Sequence, residues 1–356
     1  MSLDAIENSE FTMYVGVDTS QTDTAGGRMN HLTVIPSNAI EAALPVISAN
    51  DRVNGVTQRA KLFYAIENIG HKTLLSAAQF LAYPYPVSGV VCSLIKGNFA
   101  NVWGDVKNGR KYGCGVLASV PSYNATTDET TIVISTQGEA YAHFAYNVSG
   151  VGNRIAITNM QTSSDSTGKL EFHTITAASY SGSQCTVKFD GQLRHTYATS
   201  RVVNGVDVAT RVASCVEHGD VTSTFSVANN TSINGTVDAT KLQPRNVGCI
   251  SQTITITFES STSFQSVSNI AGVTLTGGSK NTTWSPTDTD GQAYLAVLSA
   301  FWTNNGSGDW QAGDSIQIHT EPAAMPVFLV VEVAAGTDSF SPTSINLWSD
   351  GLSGVN

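Results

Sequence analysis

Charge is what this chain has least of. Of its 356 residues only 13% are Asp, Glu, Lys or Arg, against about 25% in a typical soluble domain. Ser, Thr, Asn and Gly fill the deficit, with 31 glycines. Such a surface is polar but weakly charged, which suits a subunit packed against its neighbours and equally a secreted β-protein. The net charge of -10 is unevenly placed: residues 1–120 hold nine basic and nine acidic side chains, residues 121–356 nine basic and nineteen acidic. Neither part has a basic stripe, so the electrostatic footprint of a nucleic-acid binder is missing.

Cysteine is sparse as well. Cys92, Cys114, Cys185, Cys215 and Cys249 stand far apart, odd in number and without a Cys-x-x-Cys pair. A secreted disulfide scaffold carries a denser, even set, so the spacing predicts free, buried thiols in a chain folded in a reducing cytosol. Met1–Glu7 has no basic segment followed by an apolar one, so no signal peptide is expected. No apolar run approaches the roughly 18 residues of a membrane span. The longest, Met325–Ala335, is interrupted by Pro326 and Glu332. Helix is scarce: Ser37–Leu44 offers an N-cap and an apolar face, but Pro45 ends it after two turns. No heptad register is sustained, which excludes a coiled-coil stalk.

What is present is period-two alternation. Thr131–Thr136, Arg154–Thr158, Thr186–Phe189 and Ile250–Phe258 all read as strands. Asn108-Gly109, Asn204-Gly205, Asn234-Gly235, Gly277-Gly278 and Asn304-Asn305-Gly306 punctuate them with residues that tolerate positive φ. No repeat recurs at fixed spacing, which argues against a solenoid or propeller. The expectation is an all-β chain of two or three β-sandwich domains, Ig-like or jelly-roll-like. It divides into residues 1–120, an acidic domain at 121–245 and a C-terminal domain at 246–356, the second cut being the softer.

Nothing in the chain spells out a reaction. Asp288 with Asp290, and Asp309 with Asp314, are the nearest carboxylate pairs for glycoside hydrolysis. Both sit in turns where Asp bonds to its own backbone. Glu171 and His173 share one face of a strand, but no third metal ligand is assigned, so a hydrogen bond is the expected relation. No Gly-x-Ser-x-Gly elbow, dinucleotide fingerprint or calcium loop is found. No enzyme activity, cofactor or metal is expected. Trp284, Trp302, Trp310 and Trp348 cluster late in the chain. Trp302 is assigned to a core. Trp310 stays open between core and, with Asn304 and Asn305, an exposed ligand platform.

Three stretches carry a resemblance. Gly26-Gly27-Arg28-Met29-Asn30 leads into Leu32-Thr33-Val34-Ile35, then Ile47–Arg52, then Gly55-Val56-Thr57-Gln58-Arg59-Ala60-Lys61-Leu62-Phe63-Tyr64. Gly89–Gly97 and Arg110–Gly115 follow, and near the C-terminus Gly308–Ile316 with His319-Thr320 and Pro322-Ala323-Ala324. In this order they resemble virion structural proteins of Mu-like and related tailed phages: a Gly-Gly turn, a strand, an acidic turn, then a Gly-x-Thr-x-Arg-like pattern before an apolar run. The matches touch about a third of the chain. The resemblance implies a non-enzymatic building block of a tail, baseplate or neck, located in the virion. Its partners would be other virion proteins and copies of itself, with no nucleic acid and no membrane span. The alternative is a receptor- or carbohydrate-binding module at the tail tip.

Within that signature Ala60–Asn68 is read as a strand in preference to a helix, turned by Asn68-Ile69-Gly70, with Thr73–Tyr83 returning. Alternation places Leu62, Tyr64 and Ile66 inward and Lys61 and Phe63 outward. Phe63 thereby becomes the expected inter-subunit contact.

Overall fold

The computed structural model describes residues 10–36, 43–66, 72–82, 88–136, 144, 153–339 and 345–355. The first part of the chain supplies β1 (Phe11–Asp18), β2 (Gly26–Ile35), β3 (Val56–Ile66), β4 (Lys72–Leu81), β5 (Val90–Lys96) and β6 (Lys111–Leu117), with helices α1 (Ala49–Asn54) and α2 (Trp103–Val106). Next come β7 (Ser122–Asn124), β8 (Glu129–Ser135), β9 (Arg154–Thr158), β10 (Leu170–Ser181), β11 (Gln184–Asp190), β12 (Ser200–Val203), β13 (Val206–Ala209), β14 (Arg211–Ser214) and β15 (Val216–Val221). The remainder holds β16 (Thr224–Ala228), β17 (Gly235–Val237), β18 (Leu242–Pro244), β19 (Gln252–Phe258), β20 (Ser263–Ser268), β21 (Gly278–Ser279), β22 (Leu295–Val297), β23 (Trp302–Asn304), β24 (Ser315–Glu321), β25 (Ala324–Val333) and β26 (Leu347–Val355). The all-β expectation holds, and α1 and α2 are the only α-helices among the described residues. The helix expected at Ser37–Leu44, and the turn at Asn68–Gly70, fall largely or wholly outside them.

One sheet of twelve strands runs through the molecule in the order β2-β1-β3-β25-β5-β6-β14-β9-β10-β11-β8-β7. Its first part is open and covered by a second sheet, β15-β4-β26. Leu62, Phe80, Leu94, Val327 and Leu329 pack between the two, so this part is a sandwich. The expected β3–β4 return therefore needs correction. β3 pairs with β1 and β25, while β4 pairs with β15 and β26 in the opposite layer.

At β6 the sheet curls. Ser93–Ile95 of β5 pair with its first half, Cys114–Val116 pair with β14, and Val116 and Leu117 pair with β8. β6, β14, β9, β10, β11 and β8 thus close a barrel of six strands. Gly115 permits the closure, because a Cβ there would lie 2.7 Å from the Ser135 carbonyl oxygen. Alternate residues of these strands, among them Ile132, Ile134, Ile155, Ile157, Val187 and Phe189, fill the interior. The middle of the chain is therefore a barrel, where a sandwich was expected.

Residues 224–321 form a third unit. Its sheet, β16-β24-β19-β20-β21, is backed by the β17–β23 and β18–β22 ribbons. Between them lies an aromatic core of Phe258, Phe264, Trp284, Phe301, Trp302 and Trp310. The chain enters and leaves this unit side by side, since Thr224 pairs with Glu321. It then returns to place β25 between β3 and β5. Pairing therefore changes at about residues 223 and 322, and the division at 245 cuts through the third unit. The division at 120 separates β6 from the barrel strands it pairs with. Pairing between segments far apart in sequence leaves no trace in composition, so these boundaries were not legible there.

β25 is the apolar run noted in the sequence, and it is buried on both faces. Pro326 is tolerated in this central strand because it lies one position beyond the end of β5. Its carbonyl still accepts from Gly97 N at 3.2 Å, and the missing N–H falls at the end of the β25–β5 ladder rather than inside it.

Candidate assembly surface

The residues singled out from the sequence do not converge on one site. Phe63 is 0% exposed. It does share a face with Lys61 opposite Leu62, as alternation requires, but that face is covered as well. Phe99 packs on it with ring centroids 5.3 Å apart, and Tyr14, Met29 and Ala324 complete the cluster. Phe63 is therefore not available as the inter-subunit contact expected from alternation: β3 is a central strand with neighbours on both sides and cover on both faces.

Trp310 is 1% exposed and stacked on Phe258 at 4.7 Å. Its indole N–H donates to the Thr303 carbonyl at 3.0 Å, so the polar tip is satisfied as well. A Cβ on Gly235 would stand 2.4 Å from the ring. Asn304 and Asn305 are exposed, but they spend their amides on the turn. Asn304 Oδ1 accepts from Gly306 N at 3.0 Å, Asn305 Oδ1 from Ser307 N at 2.9 Å, and Asn305 Nδ2 donates to the Ile233 carbonyl. The expected platform has no exposed Trp310 ring. Trp302 is in the core, as expected, whereas Trp348 belongs to β26 and packs edge-on against Phe80 of the first unit.

The carboxylates serve their own loops. Asp288 Oδ1 accepts from Asp290 N and Gln292 N, and Asp314 Oδ2 from Gln311 N and Ser232 Oγ. His173 Nε2 lies 3.3 Å from Glu171 Oε2, which also accepts from Arg194 N at 2.9 Å. The imidazole stacks on Phe189 at 4.1 Å. Burial, then the Glu171 charge, pushes the neighbouring Tyr197 phenol up. Among the described residues no three His, Cys, Asp or Glu side chains are placed to share a metal. All five cysteines are free and buried, and burial pushes the Cys92, Cys185 and Cys249 thiols up to about 12. His218, unremarked in the sequence, faces Gln79 Oε1 at 2.9 Å, and burial, then Lys96, takes it down to about 3. A neutral imidazole there is part of the packing.

The feature that stands apart is the β2 edge. β2 ends the large sheet: β1 is the only strand among the described residues that pairs with it, and its opening residues also meet the segment before α2, where Gly26 bridges to Val102 and Gly27 N donates to the Asn101 carbonyl. Tyr14 opposes Val34 and Val15 opposes Asn30, so His31, Leu32 and Thr33 leave the ladder as a bulge. Asn30 Oδ1 accepts from Leu32 N at 3.1 Å and fixes it. Leu32 is 72% exposed and Val34 50%. From Asn30 to Pro36 the only titratable side chain is His31, whose partial burial pushes its pKa down. Soluble proteins guard free edges with lysine, proline or a bulge. Here the bulge blocks indiscriminate strand addition, and Pro36 follows it, but the residue the bulge projects is leucine.

A second projection is the β12–β13 hairpin. Asn204 and Gly205 take the positive φ angles, 49° and 78°, of its two-residue turn. Val202 and Val206 are exposed near the tip. A two-stranded ribbon is marginal alone, and Arg201 anchors this one by donating to the Asn159 carbonyl at 2.7 Å and pairing with Asp165.

No protein-family model matches the chain, and no curated protein matches it. Among solved structures it is similar to VP17, a capsid protein of bacteriophage P23-77, at 8% identity, over 79% of this chain and 87% of that one. The TM-score is 0.16.

Proposed function

We propose that the chain is a non-enzymatic structural subunit of a tailed-bacteriophage particle, associating with copies of itself at the β2 edge. The carrying observation is the bulge at His31–Thr33, which presents Leu32 at 72% exposure on an edge segment, Asn30–Pro36, that carries no Asp, Glu, Lys or Arg. A free edge bearing an apolar knob is a liability for a monomer and an asset for a subunit whose neighbour covers it. The virion setting rests on the sequence resemblance, which places this strand within its first signature. A place in the tail, baseplate or neck follows from the same resemblance and from the chain's series of β-units.

Two measurements test the reading. In sedimentation velocity the purified chain forms a discrete oligomer as concentration rises, and Leu32→Lys stays monomeric with an unchanged β-type far-UV spectrum. A wild-type chain that remains monomeric throughout overturns the edge. Antibodies to the chain decorate intact particles at one position. Purified particles that lack the chain by mass spectrometry overturn the virion assignment.

A further inference from the structure

Lys61 is 2% exposed in the middle of β3. Its ammonium has three N–H donors and no acceptor, and three carbonyl oxygens meet it: Gly27 at 2.5 Å, Asn101 at 2.7 Å and Phe99 at 3.1 Å. The rings of Phe63 and Phe328 flank it at 4.9 and 5.5 Å. None of the three carbonyls belongs to its own strand. Gly27 lies in β2, two strands away in the sheet order, and Phe99 and Asn101 lie in the segment before α2.

The two acceptor segments are also joined to each other. Gly27 N donates to the Asn101 carbonyl, Trp103 N to Ala25 and Gly104 N to Asp23, at 3.0, 2.7 and 2.8 Å. Room for the long side chain comes from glycine. At Gly26, with φ of 107°, a Cβ would lie 2.9 Å from the Phe328 ring and 3.0 Å from Lys61 Cδ. The charged groups facing the amine are committed elsewhere. Asp105 accepts from Val102 N at the start of α2, and Arg28 of β2 pairs with Glu321 at 3.4 Å. The amine makes no ion pair among the described residues, so its charged form is met by three backbone carbonyl dipoles.

We propose that Lys61 is a latch that fixes the first residues of β2 and the 98–104 segment in the one arrangement that presents the Leu32 bulge to a second copy. This rests on reading the β2 edge as the self-association surface. A buried charge is a poor source of net stability compared with an apolar side chain of similar length, and its best-attested return is a unique arrangement. Lys61 fits that role because a single ammonium gathers three carbonyls from two separate segments.

The test uses the full chain and Lys61→Met, with hydrogen exchange and sedimentation velocity as readouts. In the wild type, the Gly27, Trp103 and Gly104 amides exchange as slowly as neighbouring sheet amides. Exchange of all three at loop rates overturns the latch without need of a variant. In Lys61→Met those amides exchange about tenfold faster while β5 and β25 keep their protection, and self-association weakens by about the same factor. Association lost in Leu32→Lys but intact in Lys61→Met overturns the latch alone. Association unaffected by Leu32→Lys overturns the edge reading itself, which is a separate result from the exchange data.

Discussion

Phe63 contributes to the fold through a face that solvent does not reach. Replacing it with Ala removes a ring enclosed by Phe99, Tyr14 and Met29 and should cost about 3–5 kcal/mol. Urea unfolding of Phe63→Ala checks this, and an unchanged midpoint would mean that the cover formed by Phe99 is open in solution. Lys61, on the same face, gives the chain a pH signature. Burial lowers its pKa from the ordinary 10.5 to about 7, with Glu321 and Asp105 opposing the fall and Arg28 adding to it. Between those two values the unfolded chain holds a proton that the native chain has released, so this group makes stability rise with pH. The gap in urea midpoint between wild type and Lys61→Met should therefore move in favour of the wild type from about pH 7 to about pH 10. A gap that stays flat would show that the three carbonyls keep the amine charged throughout.

At the scale of elements, the decisive feature is which strand has two neighbours and which has one. β3 and β25 are paired on both sides and covered on both faces; β25 reads as a long apolar run with Pro326 just beyond its last pair with β5, whereas β3 is apolar only from Leu62 to Ile66. β2 has one neighbour and a bulge. Its Gly-Arg-Met-Asn-His-Leu-Thr-Val sequence mixes polar and apolar residues without strict alternation, as expected of a strand with an irregular ladder. The β12–β13 ribbon is the complementary case. Its Asn-Gly turn was readable from sequence, yet its projection from the barrel depends on Arg201 reaching the Asn159–Gly168 loop. Sequence marks the turn but does not reveal the anchor.

For the whole molecule, the third unit is an insertion. Its buried cluster draws every member from residues 242–318, and its two chain crossings are neighbours in the Thr224–Glu321 pair. A unit with its own core and adjacent ends is expected to fold alone. A fragment spanning residues 222–322 should unfold in one cooperative step, with Trp302 and Trp310 emitting as buried indoles. A fragment with exposed-indole emission and no transition would show that the unit depends on contacts with the rest of the chain, among them that of Arg28 with Glu321.

The order of apolar and polar residues by itself determined that this is a β-protein and located many of its strands. Thr131–Thr136, Arg154–Thr158, Thr186–Phe189 and Ile250–Phe258 all fall on or across observed strands, because side-chain alternation is a local property of extended backbone. The sparse, odd cysteines likewise indicated buried free thiols, and the structure holds all five that way. Only the tertiary structure decided which strands meet. Alternation reports that a strand has a buried face, but it cannot report a second cover or name the partner. From alternation alone Phe63 reads as outward, Trp310 fits a core or a surface equally, and β25 falls with the C-terminal unit. Lys61 is the sharpest instance. A lysine in a strand reads as solvent-facing, and its burial is acceptable only because Gly27, Phe99 and Asn101, distant in sequence, bring three carbonyl oxygens to its amine.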